Sequence, residues 1–462
     1  MGLAENALSL VTATNAILGL VAYVALKFGW QVIYYRFFSP LAKFPGPFWG
    51  SVTRLWIAWH NLQETEVPTV YALAKKYGPV IRITPTLLLV SDHERLPEVY
   101  HRNADKTGHY ITGSFGETES LFSMRSHKTH AVSRKHVAGP LQQYQKMEPL
   151  IDARITEWST KLNEKFVKSG EAFDFSWWAV YMAYDIISEI GFGEPFGFIE
   201  KGEDIGGLIQ SFHDGLPAFG LLARLHPFTS WTFLDATTED GKPLDLQYIR
   251  AEVLLVLLAG ADTTGTAFQA MVQFLMTNPD VYERMMAEID SAVRKGLISD
   301  MPQYNEVLEH LPFYVASVKE TMRLCPSAPT IFPRYVPEPG LDLYGYFAPA
   351  GTEICCNPYL VHRDPKLYGD DAEEFKPERW LDAEKAKSYN KYNFSFGYGS
   401  RVCLGRDIAM MELFKGPLQF FRQYKPETVK GKPEAKFMIK GGIGYWRDVW
   451  LTVSPRPEVK AE

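Results

Sequence analysis

Cysteine is scarce: four residues in 462, of which Cys355 and Cys356 are adjacent while Cys325 and Cys403 stand alone. No disulfide framework or zinc-type spacing is legible in so few, and a reducing compartment is expected for the folded part of the chain. An excess of charge of one sign is lacking too. Lys and Arg number 48 against 54 Asp and Glu, a formal net charge of −6, and no basic tract stands out, so nothing supports nucleic-acid binding. Gly/Ser-rich, low-complexity, repeated and like-charge segments are missing as well. One large folded unit is therefore expected behind the N-terminal segment. Nor is there a flavin or nicotinamide fingerprint, so redox chemistry here needs electrons from another protein.

One hydrophobic run is long. No charge falls between Glu5 and Lys27, a stretch of 21 mostly apolar residues that includes Ile17-Leu-Gly-Leu-Val-Ala-Tyr-Val24. At about 1.5 Å per residue it spans roughly 30 Å, the thickness of a bilayer core. Trp30, Tyr34 and Tyr35 suit a membrane interface, and no small-residue cleavage site supports the rival reading as a signal peptide. Lys27, Arg36 and Lys43 follow the run while Glu5 precedes it, which puts the bulk of the chain on the cytosolic side. Residues 1–40 are thus read as a single-pass anchor and interface segment, and 41–462 as the main domain.

Within that domain helical spacing dominates. Val70 to Tyr77 reads as a helix, and Val80–Ile83 and Leu87–Val90 read as short strands around Thr84-Pro85-Thr86. Met147, Leu150, Ile151, Ile155, Trp158, Leu162 and Phe166 share one helical face and read as core. Ala251 to Met276 makes a long helix that is apolar almost all round, and Val281, Met285, Ile289 and Val293 mark another.

The most informative residue is Cys403, in Phe396-Gly-Tyr-Gly399-Ser-Arg401-Val-Cys403-Leu-Gly405. A porphyrin brings four nitrogens to its iron, so one axial thiolate completes the site where zinc needs three or four protein ligands. Gly399 and Gly405 let backbone approach a flat ring, Arg401 can fork onto a propionate, and Phe396 can shield the sulfur. Leu404 to Leu413 reads as a helix, whose N-terminal amides favour thiolate over thiol. Without these neighbours a lone Cys reads as a buried structural thiol.

The pattern resembles the haem loop of the cytochrome P-450 superfamily at every signature position. The resemblance implies a mainly α fold with small β-sheets, a haem cofactor ligated by Cys403, and residues 41–462 as the haem-binding catalytic domain. It extends over four further segments. Phe44-Pro-Gly-Pro47 is similar to the proline hinge of microsomal members. Ala259-Gly-Ala-Asp262-Thr263-Thr264, which alone reads equally as a packing notch, resembles the oxygen-activating helix; there Thr263 is implied to bond iron-bound dioxygen, and Asp262 to feed protons. Thr263 can also bond the Ala259 carbonyl and open the helix. Glu320-Thr-Met-Arg323, alone a common surface ion pair, joins Pro377-Glu-Arg379-Trp380 as the family's buried brace for the haem loop. His130-Ala-Val-Ser-Arg134 matches the helix at the haem edge except that His replaces Trp. Arg134, with Arg334, is implied to hold propionates; His130 stands evenly between donating there and a surface or core position.

One departure is large. Between Ile205–Phe212, similar to the sixth major helix, and the oxygen-binding helix, Trp231 runs almost directly into Phe233, where family members place two lid helices. About fifty residues are short of familiar family lengths. A skipped exon or gene-model error accounts for the gap; in a chain that truly lacks the lid the distal pocket is expected to gape. The resemblance implies a haem-thiolate monooxygenase using dioxygen, with NADPH electrons from a separate reductase flavoprotein, acting on an apolar small molecule at the endoplasmic reticulum membrane. By analogy the substrate meets Gly113–Phe122, Leu257–Thr263, Ala328–Phe332 and Gly441–Tyr445. The sequence is most similar in texture to fungal secondary-metabolism and detoxification enzymes, such as the pisatin demethylase-like group. Two alternatives stay open: a truncated haem-binding paralogue without turnover, and a reductase-independent haem-thiolate isomerase or dehydratase.

Overall fold

The computed structural model describes residues 2–113, 119–141, 144–226 and 246–459. Its frame is helical, with small sheets toward both ends. The principal helices are α1 (Gly2–Ile33), α2 (Leu55–Leu62), α3 (Glu66–Tyr77), α4 (His127–Leu141), α5 (Glu148–Leu162), α6 (Phe175–Phe192), α7 (Leu208–Arg224), α8 (Leu246–Thr277), α9 (Pro279–Arg294), α10 (Pro312–Leu324) and α11 (Arg406–Gln423).

α1 stands apart. From Ile17 through Phe38 its continuation exposes Leu18, Val21, Leu26, Trp30, Phe37 and other apolar side chains, and the span Thr14–Phe38 is long and apolar enough to cross a membrane. The proline hinge ends this excursion by locking onto β1 (Val80–Arg82): Arg82 N donates to Pro45 O at 2.7 Å. Gly46 sits so close that a Cβ there would lie 2.3 Å from Arg82 O. β1 pairs antiparallel with β2 (Leu87–Val90), which runs parallel to β7 (Glu353–Cys356); β4 (Arg334–Tyr335) closes the sheet. All four β2 residues are buried, as their unbroken apolar run requires.

The core sits where α5, α6, α8 and α11 meet. Trp158, Phe175, Phe268 and Phe420 pack edge-on and tilted at centroid distances of 5.0–6.2 Å. α6 is started by Asp174, whose carboxylate accepts from Ser176 N at 2.9 Å, and is stopped by Gly193 in the left-handed region. α8 presses against α6 at Gly265, where a Cβ would fall 2.8 Å from Val180 Cγ2. That contact fixes the register of the helix carrying Asp262 and Thr263. Near the C-terminus β9 (Lys436–Lys440) and β10 (Ile443–Arg447) form a hairpin laid across α8, with Thr266 Oγ1 donating to Gly444 O at 2.9 Å.

Candidate haem site

Cys403 lies on the loop before α11, its amide donating to Phe396 O at 2.8 Å so that the loop closes on itself. The thiol is accessible although protein atoms crowd around it. Burial pushes the thiol up, against the pull of the Gly405 amide and the Arg134 and Arg406 charges. The sequence placed a helix at Leu404; it starts at Arg406 with Gly405 as cap, so the thiol lies off the first turn and burial dominates. A bound metal removes that proton outright. Gly399 is a glycine for a different reason from the one the sequence suggested: φ is +70°, and a Cβ would lie 2.6 Å from Tyr100 O. At Gly405 a Cβ meets nothing within 4 Å.

Beside the loop lies a buried group of cations. Lys106 and Arg334 face each other across an isolated antiparallel bridge, reinforced by Tyr335 N donating to Asp105 O at 2.9 Å. Arg401 reaches the same place by donating to Met124 O and Arg125 O at 2.7 and 2.8 Å, which ties the Cys403 loop to the entrance of α4. α4 adds His130, buried, and Arg134, half-buried. Burial, then Arg401, Lys106, Arg134 and Arg334, lower His130 to about 3. Burial, then Arg334, lower Arg401 to about 10, and Lys106 is driven well below its ordinary value by burial, Arg334 and Arg401. Asp105, whose charge reaches Arg401, is already engaged by His127 at 2.7 Å. No carboxylate pairs with any of the five among the described residues.

This is the test of fit for a haem. A dianionic group carrying two carboxylates, placed beside an accessible thiol, supplies the counter-charge these cations lack. Arg334 is otherwise held by the Tyr110 hydroxyl and by Pro333 O at 3.0 Å, with its guanidinium 5.2 and 5.1 Å from the rings of Tyr100 and Tyr110. Lys106 and Tyr110 were missed by sequence reasoning. Their only signal is a Lys in a stretch that the sheet later buries.

On α8 the two predicted catalytic residues part company. Thr263 and Ala259, one turn apart, are accessible on a helix otherwise buried from Leu257 to Ala270 apart from Gly260, and Thr263 Oγ1 donates to Ala259 O at 2.6 Å. Asp262 points elsewhere: it is 1% exposed and held by His213 Nε2 of α7 at 2.8 Å. Ser327 Oγ fixes Thr263 O at 2.7 Å.

The brace is built as the sequence implied. Glu320 on α10 accepts from Arg323 Nε at 2.7 Å, Arg379 Nε at 2.8 Å and Trp380 Nε1 at 2.9 Å, with all four side chains buried. His362 carries the brace to the Cys403 loop. Burial holds it near 3, hence neutral; Nε2 accepts from Phe394 N at 3.0 Å, so Nδ1 bears the proton donated to Arg323 O at 3.0 Å.

The sequence profile of the family described as Cytochrome P450 matches residues 45–231 and 224–445. This chain belongs to the cytochrome P450 family. It is accordingly a haem-dependent monooxygenase. Quiannulatic acid synthase of Emericella variicolor is 33% identical, with 98% of each chain covered. The cytochrome P450 monooxygenase gsfF of Penicillium aethiopicum is 31% identical over 86% of this chain and 90% of its own. The P450 monooxygenase cicH of Emericella nidulans is 28% identical over 83% and 88%. The first alignment runs over 518 positions, exceeding the 462 residues of this chain by 56. The two profile matches meet at 224–231, where the sequence departs from family length. Trp231 and Phe233 lie outside the described residues, as do residues 114–118 of the expected substrate loop.

What remains of that side is tied down. Arg224, at the end of α7, grips Glu66 of α3 with two bonds of 2.9 Å, and Glu353 is held by His226 at 2.7 Å and by Arg54. At the start of the Gly441–Tyr445 segment expected to meet substrate, the backbone packs closely on α7 and Thr330: Cβ atoms at Gly441 and Gly442 would lie 2.2 Å from Leu216 O and 2.3 Å from Thr330 Oγ1.

Proposed function

We propose that this P450 is a membrane-anchored enzyme that hydroxylates or O-dealkylates an apolar small molecule in fungal secondary metabolism or detoxification. Cys403 Sγ would hold the haem iron as a thiolate, with Phe396 shielding it and Gly399 and Gly405 shaping the loop. His130, Arg134, Arg334 and Arg401, together with Lys106, receive the propionates. Bound haem supplies the iron at which dioxygen is activated, one atom going to substrate and one to water. The Thr263 hydroxyl, on the accessible face of α8, would hold a proton for the oxygen chemistry; Asp262, held on the α7 side by His213, would supply that proton through water. The wall of α8 from Leu257 to Thr263 excludes bulk water on its side.

Electrons come from NADPH through a separate reductase flavoprotein. Residues 1–40 anchor the chain in the endoplasmic reticulum membrane by one span, and 41–462 form the cytosolic catalytic domain. The relative named as a synthase of quiannulatic acid supports a biosynthetic role, and the two named as monooxygenases support oxygen insertion. The single observation that carries the reading is the accessible thiol beside a buried cation cluster that no carboxylate among the described residues pairs with.

The test is reconstitution with an NADPH reductase, labelled dioxygen and an alkoxycoumarin probe. For each alkoxycoumarin cleaved, one labelled atom is expected in the released aldehyde and one in water, while the hydroxycoumarin keeps the ether oxygen of the substrate. In Thr263→Ala, NADPH consumption should persist while product falls and hydrogen peroxide rises, because ligation is intact and only proton placement is lost. Equal product per NADPH in parent and variant would remove Thr263 from the mechanism.

A further inference from the structure

Asp262 interrupts an apolar stretch of α8, and its partner comes from another helix. His213 Nε2 lies 2.8 Å from Asp262 Oδ1, with the two side chains 7% and 1% exposed. The His213 ring stacks on Tyr445 at 4.0 Å and 15°. Three buried oxygens here have no hydrogen-bond partner among the described residues: Asp262 Oδ2 and the hydroxyls of Tyr184 and Tyr445. Burial first, and then Asp262 among the nearby charges, push both hydroxyls up, which places the tyrosines within electrostatic reach of the carboxylate. An unpaired buried polar group is costly. Three in one neighbourhood mark a place for ordered water, each such water needing two to four polar partners.

The pair is more than is needed to hold α7. That helix is already fixed at its far end by Arg224 on Glu66 and by the close approach of Gly441 to Leu216. An imidazole, a carboxylate and two hydroxyls can each pass a proton on, and histidine does so near neutral pH.

We propose that His213 is the positioning residue through which Asp262 exchanges its proton with solvent, so that the seam between α7 and α8 is the proton inlet. This rests on Asp262 acting as the proton donor. The imidazole takes one proton from water held at Tyr184 and Tyr445, its Nε2 proton passes to Asp262 Oδ1, and the carboxyl releases one proton toward Thr263. The net change is one proton carried inward, and no electron moves. Tyr184 of α6 and Tyr445 of β10 are the titratable groups within reach of Asp262, and the other charges acting on these two tyrosines are Asp204 before α7, Asp214 on α7, Glu64 after α2 and Arg447 of β10.

The test uses haem-loaded protein with labelled histidine, His213→Gln identifying the resonance. Glutamine keeps an amide N–H for Asp262 but cannot titrate, whereas His213→Phe keeps the stack on Tyr445 and loses the bond. The ring N–H of His213 is expected to exchange with solvent faster than the backbone amides of α7, as a group that passes protons must. Amide exchange of α7 should be as slow in His213→Gln as in the parent. With reductase and an alkoxycoumarin, both variants should lose at least fivefold in product per NADPH, with a larger solvent isotope effect and a flattened pH profile. A His213 ring N–H that exchanges no faster than those amides overturns the proposal. So does a His213→Gln enzyme matching the parent in product per NADPH and pH profile while Asp262→Asn is impaired; the reading of Asp262 then survives. If Asp262→Asn also matches the parent, that reading fails with it.

Discussion

Replacing Glu320 by Gln changes one atom and should cost most of the chain's stability. The carboxylate accepts five hydrogen bonds: Arg323 Nε at 2.7 Å, Arg323 NH2 at 2.8 Å, Arg379 Nε at 2.8 Å, Trp380 Nε1 at 2.9 Å and Lys376 N at 3.0 Å. Every partner is a donor, so the amide NH2 of Gln turns donors toward donors on one side. Arg323 cannot retreat, because His362 O and Ala372 O hold NH1 at 2.6 Å and Glu374 O holds NH2 at 3.0 Å. Two buried guanidinium charges then face no anion at Glu320. Breaking a buried pair from one side costs about 3–5 kcal/mol, against a total stability of about 5–15 kcal/mol for a folded domain. Urea unfolding with haem content as a second readout is the assay: the midpoint should fall by that amount, and haem should be lost with the fold, since His362 links the brace to Phe394. A variant within about 1 kcal/mol of the parent would refute the reasoning, because that is the scale of an exposed ion pair.

Lys106→Met should stabilise the haem-free chain, because it removes a buried cation from beside Arg334 and Arg401, yet release haem several-fold faster; thermal melts and haem transfer to a scavenging apoprotein check the two signs. Glu353 is pushed up by burial, but His226, Arg54 and Thr86 outweigh this and hold it near 2. A carboxyl with a lowered pKa contributes stability that is complete above its ordinary 4.5 and is lost as pH falls toward 2, so Glu353→Gln should flatten the acid limb of a stability–pH curve in that window. Deleting residues 1–40 should leave a haem-binding protein that washes off membranes in carbonate; retention would show a second embedded surface.

The parts of the site legible in the sequence are those whose partners lie close along the chain or in ordered motifs. Cys403 with its glycines, Glu320 with Arg323, and Thr263 with Ala259 all belong here. Strand and helix placement followed apolar spacing for the same reason. What was not legible needs the tertiary fold. Lys106 joins Arg334 only because a backbone bridge brings them together, and His213 meets Asp262 only through packing of α7 near α8. The thiol's direction was misjudged because burial outweighs a helix terminus that starts two residues later than its sequence suggested. Gly399 was assigned to a cofactor, whereas the Tyr100 carbonyl is what excludes a side chain.

The central claim is that Cys403 is the residue through which this chain holds haem iron as a thiolate. The most direct measurement is the reduced-carbonyl difference spectrum of purified parent, Cys403→Ala and the triple variant Cys325→Ala, Cys355→Ala, Cys356→Ala. The three other thiols are buried within the fold and have no part in the site. The account expects the thiolate-type band in the parent and in the triple variant, and its complete loss in Cys403→Ala. A Cys403→Ala protein that keeps the band would contradict it.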